Sequence, residues 1–444
     1  MADELDWDRV GIVESQVLQE LPIDRVELDV WARAFLRGLY DAAVAEADPA
    51  KVLPACLPAK PSGRCVVVGA GKAAASMAAA VEAAWPDVNL SGCVVAPYGY
   101  SKLCERVRVL EGGHPVPDEN SVEAARQIME AVAGLSEVDL VLALISGGGS
   151  AAMSLPARGL TLADKQAANR LLLASGLDIR AMNAARRRLS AIKGGRLAAA
   201  AAPARVVTLA ISDIPGDTPS AIASGPTAAD AGAAFDLSAT VKRLGTKLPE
   251  AVAHLLLNPE PPVTLTNAAP IELIATAAGS LDAAARLARA QGIEPILLGD
   301  DLEGEAADLG REMARRAFAA EGPVVLISGG ETTVTVGEGP AGQGGRNTEF
   351  LLALACELNG AAQVWGLAGD TDGEDGDNLG AAGAICTPDT LVRAAAKGLD
   401  ARASLKGHDS GGFFDALGDL VRTGPTLTNV NDFRAILVLP RARG

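Results

Sequence analysis

Hydrophobic residues along the chain follow two alternating patterns. Short runs rich in β-branched residues, such as "RCVVVGAG", "DLVLALISGGG" and "ARVVTLAISD", predict buried strands, and the Ala/Leu-rich stretches between them have helical spacing. The second half repeats the alternation with "PIELIATA", "GPVVLISGG" and "QVWGLAGD". Because strands that alternate with helices form βαβ units, both halves are predicted to be α/β, with mostly parallel or mixed sheets.

The Pro-rich stretch "LNPEPPVTLTNAAP", residues 257–270, separates the two halves. Proline interrupts helices, so a domain boundary is predicted near Pro261. This gives an N-terminal domain over residues 1–260 and a C-terminal domain over residues 261–444. Residues 1–60 have amphipathic helical spacing and are expected to pack on one of the sheets.

Composition narrows the possible partners and the compartment. The formal net charge of -16 and pI of about 4.8 disfavour nucleic acid and anionic membrane surfaces, which repel an acidic protein. The six cysteines include no CxxC pair and are interpreted as buried, reduced thiols. The N-terminus lacks the pattern of a secretory signal, and no apolar run reaches the ~20 residues of a membrane span, so a soluble cytoplasmic protein is expected.

The first strand runs into a Gly-rich loop, Gly69-x-Gly71-x-x-Ala74, which matches the loose form of a dinucleotide motif. The next strand, "GCVVAPYGY", ends without the carboxylate that a dinucleotide ribose needs, and the Walker spacing also fails. The loop amides, the helix dipole and Lys72 could instead converge on an anion. In the alternative the loop is only a tight turn with a solvated Lys72, whose replacement would hardly affect folding.

A second glycine loop, "ISGGGSAA", also ends a buried strand. Three successive glycines let backbone amides approach phosphate or carboxylate oxygens, and the following serine adds a hydroxyl. An anion-binding nest is therefore predicted from Ser146, Gly147, Gly148, Gly149 and Ser150.

Two further candidates have equally simple structural interpretations. His114, in "GGHPVPDENS", either contacts substrate or is a loop histidine satisfied by backbone groups. Lys193 follows the basic run "ARRRLSAIKGG" and either points into a cleft or belongs to a solvated helix face.

Carboxylates follow strands in both halves. Asp213 and Asp217, in "LAISDIPGD", lie where α/β proteins place ligand-binding groups and could bind a hard divalent cation, or Asp213 could be a turn residue. Asp370 and Asp372, in "LAGDTDGEDGD", could handle a metal-bound nucleotide or a substrate hydroxyl. The neighbouring acidic residues are expected to be solvated: Glu374, Asp375 and Asp377.

A flexible glycine loop, "GPAGQGGRNTEF", brings Arg346 and Asn347 to the start of a helix. Arginine at such a position can bind a phosphate group with two parallel hydrogen bonds. Asn347 is included among the candidate substrate-binding or nucleotide-binding residues.

Taken in order, these stretches resemble the glycerate 2-kinase family, whose C-terminal domain is called MOFRL. The resemblance rests on "GAGKAA", "GGHPVPDENS", "ISGGGSA", "RLSAIKGGRLA", "SDIPGD", "SGPT", "SGGETTVTV", "GGRNTEF", "GDTDGEDG" and "TGPTLTNVND". The chain departs from the family pattern at Arg188, His408, Gly411 and Leu427, where members usually have His, Asn, an aromatic residue and Gly.

The resemblance implies a Rossmann-like N-terminal domain, a MOFRL C-terminal domain and an active site in the cleft between them. It implies ATP and Mg²⁺ as cofactors and phosphorylation of D-glycerate at the 2-hydroxyl. Catalytic roles are assigned to Lys72, Asp213 and Arg346, substrate or nucleotide contacts to Gly71 and the other loop residues named above, and metal binding to Asp213 and Asp370. A homodimer is one option for its assembly.

Two alternatives remain open from the sequence. Some proteins of the family are described as hydroxypyruvate reductases, which would use NAD(P)H, although the missing acidic partner for a ribose speaks against that reaction. The other alternative is a regulatory protein that binds a sugar acid or a nucleotide without catalysis. The retained Lys72, Asp213, Arg346 and Asp370 speak against the loss of catalysis.

Overall fold

The computed structural model describes residues 25–175, 177, 179–230, 235–337, 341–376 and 379–440. Two six-stranded sheets organise these residues, and each sheet has a hydrophobic core on both faces. The strands are β1 (Cys65–Ala70), β2 (Leu90–Pro97), β3 (Arg108–Gly112), β4 (Leu140–Ile145), β5 (Arg205–Ile211), β6 (Glu272–Ala275), β7 (Glu294–Leu297), β8 (Gly304–Glu305), β9 (Val324–Ser328), β10 (Thr332–Thr333), β11 (Val364–Asp370), β12 (Gly383–Cys386), β13 (Leu420–Val421) and β14 (Asp432–Val438).

Helices connect most of these strands and cover the sheets. They are α1 (Arg25–Glu46), α2 (Pro49–Val52), α3 (Ala74–Ala84), α4 (Glu119–Ala131), α5 (Gly149–Ala152), α6 (Leu162–Ala174), α7 (Ile179–Arg188), α8 (Arg196–Ala200), α9 (Ser238–Leu244), α10 (Glu250–Leu257), α11 (Ala277–Ala290), α12 (Ala306–Ala319), α13 (Arg346–Leu358), α14 (Thr390–Ala396), α15 (Ala401–Lys406) and α16 (Ser410–Leu417). The predicted α/β class is confirmed.

The first sheet has the strand order β3-β2-β1-β4-β5-β6, and all of its pairs are parallel. This is the order of a Rossmann fold, so the Rossmann-like expectation is confirmed. Strands β1 and β4 are neighbours although the chain visits β2 and β3 between them. The order therefore reverses at this pair, and the crevice beyond the carboxyl ends of β1 and β4 is where such folds bind ligands.

The second sheet is mixed, with the order β13-β12-β11-β14-β9-β7. Strand β14 is antiparallel to both of its neighbours, β11 and β9. The carboxyl ends of β9 and β11 therefore lie at the same edge as the start of β14. Polar residues at these three strand ends are brought together by this topology.

The two sheets do not divide at Pro261, where the sequence placed the boundary. Strand β6 (Glu272–Ala275) pairs with β5, so the first sheet extends past the Pro-rich stretch, which breaks a helix without ending a domain. At the other end of the chain, α1 packs on the second sheet through residues such as Leu36 and Leu39. The leading helix therefore belongs to the second core, and residues 1–24 lie outside the described ranges.

The cysteines and the helices bear on the predicted thiol state and the predicted lack of membrane spans. All six cysteine thiols are free; Cys65, Cys93 and Cys386 are buried, as expected, and the other three are partly exposed. None of the helices in the described ranges is long and apolar enough to span a bilayer.

Candidate active site

The two glycine loops meet because their strands are adjacent and in register, with Ala70 opposite Ile145. The Ala73 amide donates to Ser146 Oγ at 2.9 Å, and the Lys72 amide donates to the Gly147 carbonyl at 2.8 Å. A Cβ atom at Gly71 would lie 2.3 Å from Ser146 Oγ. Glycine is thus required at position 71 for the loops to approach each other, and Ser146 serves as a hydrogen-bond acceptor between them.

This close packing leaves the first loop unable to bind an anion through its backbone. Besides the two amides already described, the Gly71 amide donates to the Val95 carbonyl and the Ala74 amide to the Gly71 carbonyl. The predicted convergence of loop amides on an anion is therefore wrong for residues 71–74, because neighbouring protein groups already accept these hydrogen bonds. Lys72 can contribute only its side chain.

The Lys72 side chain crosses from the first sheet to the second and forms an ion pair with Asp372. It is 15% exposed, its partner is fully buried, and its ammonium lies 5.5 Å from the centre of the Tyr100 ring. Burial alone would lower the pKa of Lys72, but Asp372 and Asp370 outweigh it and hold that pKa above its ordinary value. Lys72 is therefore a charged, paired residue, and the solvated alternative is wrong.

Arg346 is the centre of a second charge cluster, at the edge of the second sheet. It begins α13, and its guanidinium contacts Asp432 at 2.9 Å, Asp370 at 2.9 Å and Glu331 at 2.7 Å. The three carboxylates come together because they follow β9, end β11 and begin β14. Burial opposes the charge of Arg346, but the carboxylates raise its pKa above the ordinary value, so it is a fixed cation.

Asp213 follows β5 and is the one predicted catalytic group without an ion-pair partner in the described ranges. Its carboxylate accepts a hydrogen bond from Asn429 Nδ2 at 3.1 Å. Burial, assisted by the negative charge of Glu331, raises the pKa of Asp213 to about 6, although Lys72 opposes the shift. An unpaired carboxylate with a raised pKa is suited to accept a proton or to bind a cation.

The second glycine loop lies between these groups. A Cβ atom at Gly147 would lie 1.9 Å from Asp213 Oδ2, and one at Gly148 would lie 3.5 Å from Lys72 Cγ and 3.6 Å from His114 Cε1. The Gly147 and Gly148 amides donate no hydrogen bond within the described part of the chain. The nest therefore stays a prediction with two open donors.

His114 itself is exposed beside this loop. Desolvation, together with the positive charge of Lys72, lowers the pKa of the His114 imidazole to about 4. A neutral imidazole next to Gly148 can donate or accept a hydrogen bond, and a polar contact between His114 and a ligand stays a prediction.

The Ser150 end of the second glycine loop contacts Lys193. The Lys193 ammonium donates to both the carbonyl and the hydroxyl of Ser150, each at 2.6 Å, and is 2% exposed. A solvated helix face is therefore wrong for Lys193. Lys193 lies at the Ser150 end of the loop, whereas Asp213 and Lys72 contact Gly147 and Gly148.

Some predicted residues support the site without facing it. The Asn347 side chain is buried and donates to Asp432 Oδ1 at 2.8 Å, so it positions the carboxylate that holds Arg346. Asp375 is buried rather than solvated, because it accepts the Asn347 and Thr348 amides at the start of α13. Asp377 lies outside the described ranges. Within those ranges, no side-chain hydrogen bond or ion pair joins Asp217 to the site.

Sequence reasoning missed three residues that contact the site. Glu331 and Asp432 hold Arg346, and Asn429 holds Asp213. All three stand in stretches that resemble the family, "SGGETTVTV" and "TNVND", without having been singled out. Their positions near the ends or starts of strands could have identified them as candidate site residues.

Comparison with known proteins agrees with this architecture. Residues 35–257 match the family model described as a domain of unknown function, DUF4147, and residues 324–432 match the MOFRL family. A protein of Agrobacterium vitis named "Putative hydroxypyruvate reductase" is 54% identical over 92% of this chain and 95% of its own length. The glycerate 2-kinase of Pyrococcus horikoshii is 39% identical over 86% of this chain and 89% of its own length.

A solved structure extends the likeness to the whole fold. The crystal structure of glycerate kinase from Thermotoga maritima superposes with a TM-score of 0.82 at 35% identity. The superposition covers 92% of this chain and 99% of the crystallised chain. Both halves of the molecule therefore share the fold of that protein.

Proposed function

Because the chain belongs to the glycerate kinase family that carries a MOFRL domain, we propose that it transfers the γ-phosphoryl group of ATP to the 2-hydroxyl of D-glycerate. The observation that carries the proposal is the ion pair between Lys72 and Asp372, which joins the ligand-binding crevice of the first sheet to the charged edge of the second. One fixed cation from each sheet and one unpaired carboxylate thereby lie close together.

This arrangement suits phosphoryl transfer, which depends on positioning and charge neutralisation more than on a covalent nucleophile. Lys72 and Arg346 would stabilise the negative charge on the transferring phosphoryl group. Asp213 would accept the proton of the 2-hydroxyl as its oxygen bonds to the γ-phosphorus and the bond to the β-phosphate oxygen breaks. The open Gly147 and Gly148 amides would donate to anionic oxygens of the reactants.

The residues present fit a magnesium ion only together with a nucleotide. Among the described residues, no three His, Cys, Asp or Glu side chains come together as a metal site. Both oxygens of Asp370 already accept hydrogen bonds, from Arg346 and from the Asp372 amide, whereas Asp213 has capacity to spare. Mg²⁺ in kinases takes one or two carboxylates and completes its shell with phosphates and water, so Asp213 would be the principal protein ligand. This role is an alternative to that of proton acceptor, because a carboxylate bound to a metal ion is a weak base. Bound there, the ion would neutralise phosphate charge.

The proposal predicts that the purified protein converts ATP and D-glycerate into ADP and 2-phosphoglycerate, and that a chelator abolishes the reaction. Product identity can be read by phosphorus NMR and ADP release by a coupled assay. Full activity in excess chelator would contradict the metal requirement, and formation of 3-phosphoglycerate alone would contradict the regiochemistry. Binding of both substrates without turnover would instead favour the regulatory alternative.

A reductase is the second candidate, because Agrobacterium vitis relatives at 54% and 53% identity are named as hydroxypyruvate reductases. Two features oppose it. The amides of residues 71–74, which would bind a dinucleotide pyrophosphate, donate to protein acceptors, and β2 ends at Pro97 without a ribose-binding carboxylate.

We therefore expect no saturable binding of NADH or NADPH at micromolar concentration. Fluorescence titration measures this directly, with ATP displacement of a fluorescent nucleotide as the positive control. Saturable quenching by NADH together with its oxidation by hydroxypyruvate would make the reductase the better function.

A further inference from the structure

A second group of cations lies at the Ser150 end of the second glycine loop, beyond Asp213 and Lys72. Besides Lys193, it contains Lys165 on α6 and Arg186 on α7. The Lys193 amide donates to Ser190 Oγ at 3.3 Å, and burial, assisted by the positive charges of Lys165 and Arg186, lowers the pKa of the Lys193 ammonium. Lys165 Nζ also shares an acceptor, the Leu155 carbonyl, with Ser190 Oγ.

These three cations make few hydrogen bonds and no ion pair within the described ranges. Lys165 is 8% exposed, and its single hydrogen bond in the described ranges, to the Leu155 carbonyl, is 3.4 Å long. Lys193 uses two of its three donors on Ser150, and Arg186 donates to the Asn169 side chain. Within the described ranges none of the three forms an ion pair with a carboxylate.

Such an arrangement is unfavourable for folding alone. Buried cations are normally paired, and burial without a partner lowers the pKa of Lys165 to about 7. Hydrophobic side chains at these positions would cost less. Spare donors from nearly buried lysines beside an open glycine loop therefore indicate a ligand that supplies the missing negative charge.

We propose that Lys165, Arg186 and Lys193 form a subsite for the carboxylate of the hydroxy-acid substrate, an inference that rests on the proposed function. In a 2-hydroxy acid the carboxylate is attached directly to the carbon that carries the reacting hydroxyl. Ser150 likewise lies only two residues from Gly148, which faces Lys72 and His114.

The test is Lys165→Met, which keeps the unbranched stem and removes the charge. We expect the KM for D-glycerate to rise by about tenfold or more, because hydrogen bonds to charged groups are among the strongest. The KM for ATP should stay within about twofold. The melting temperature of the free enzyme should stay equal or rise, since an unpaired buried charge is removed. Lys242→Met, at an exposed lysine on α9, is the matched control and should change none of these values.

Each outcome decides the inference. A raised KM for ATP with an unchanged KM for glycerate would show that the cations bind nucleotide phosphates and would overturn it. A lower melting temperature with both KM values unchanged would assign Lys165 a structural role and also overturn it. Calorimetric titration of D-glycerate, in the presence of a non-hydrolysable ATP analogue, separates this inference from the proposed function. Binding by the unaltered protein without turnover would refute the kinase but still allow the subsite to be tested with Lys165→Met, whereas no binding would refute both.

Discussion

Replacing Lys72 with alanine should lower the turnover number by about a hundredfold or more, which is the typical effect of losing one preorganised group that stabilises transition-state charge. The Lys72 side chain leaves the first glycine loop, passes Gly148 at its Cγ atom and pairs its ammonium with Asp372 of the second sheet. Its pKa is raised, so it is charged throughout the physiological pH range. Steady-state kinetics with ATP and D-glycerate measures the loss.

The same substitution should also destabilise the fold, contrary to what the sequence suggested. Asp372 is fully buried, and removal of its partner leaves an uncompensated charge, which typically costs about 3–5 kcal/mol of unfolding free energy. The double variant Lys72→Met/Asp372→Asn removes both charges and should recover most of the melting temperature without recovering turnover. Near-normal turnover in the double variant would mean that Lys72 serves structure alone.

The position of the site was predictable because strand ends are visible in the sequence. The strands that end at Ala70, Ile145 and Ile211 are mostly apolar, and the polar residues that follow them come to one edge of a parallel sheet. The same reasoning found Asp370 at the end of β11. Neighbouring strands bring such residues together whatever their separation along the chain.

Contacts between the two sheets were not predictable in this way. Lys72 and Asp372 are 300 positions apart, and a lysine after a glycine turn is ordinarily solvated. Asp375 has the same local pattern as a solvated loop residue, yet it caps α13. Burial of a charged side chain depends on the partner that covers it, and no local pattern identifies that partner.

Backbone conformation explains which residues the family usually has at two of the positions where this chain departs from its pattern. Leu427 and His408 have φ angles of 61° and 51°, in the left-handed region that favours Gly and Asn, the residues usual at those positions. Both residues therefore adopt a strained backbone conformation in this chain. Conformation here is imposed by the surrounding fold, which a single sequence does not reveal.

Replacing Gly147 with alanine should reduce turnover by about a hundredfold, since displacements of about 1 Å at reacting groups can have that effect. The φ angle of Gly147 lies outside the left-handed region, so the backbone itself accepts alanine. The new Cβ atom, however, would lie 1.9 Å from Asp213 Oδ2 and 2.6 Å from Asn429 Nδ2. Both side chains must move away, and Asp213 would leave the position from which it can reach the substrate hydroxyl.

Two comparisons separate this effect from a general loss of structure. Gly279→Ala, in the first turn of α11, places its Cβ 3.6 Å from the nearest atom and should leave turnover unchanged. Asp213→Asn removes the proton acceptor without adding an atom and should reduce turnover at least as much as Gly147→Ala. If Gly147→Ala retains near-normal turnover while Asp213→Asn does not, the carboxylate tolerates displacement. If both variants remain active, Asp213 takes no part in the chemistry, and the unpaired carboxylate beside the second glycine loop needs another explanation.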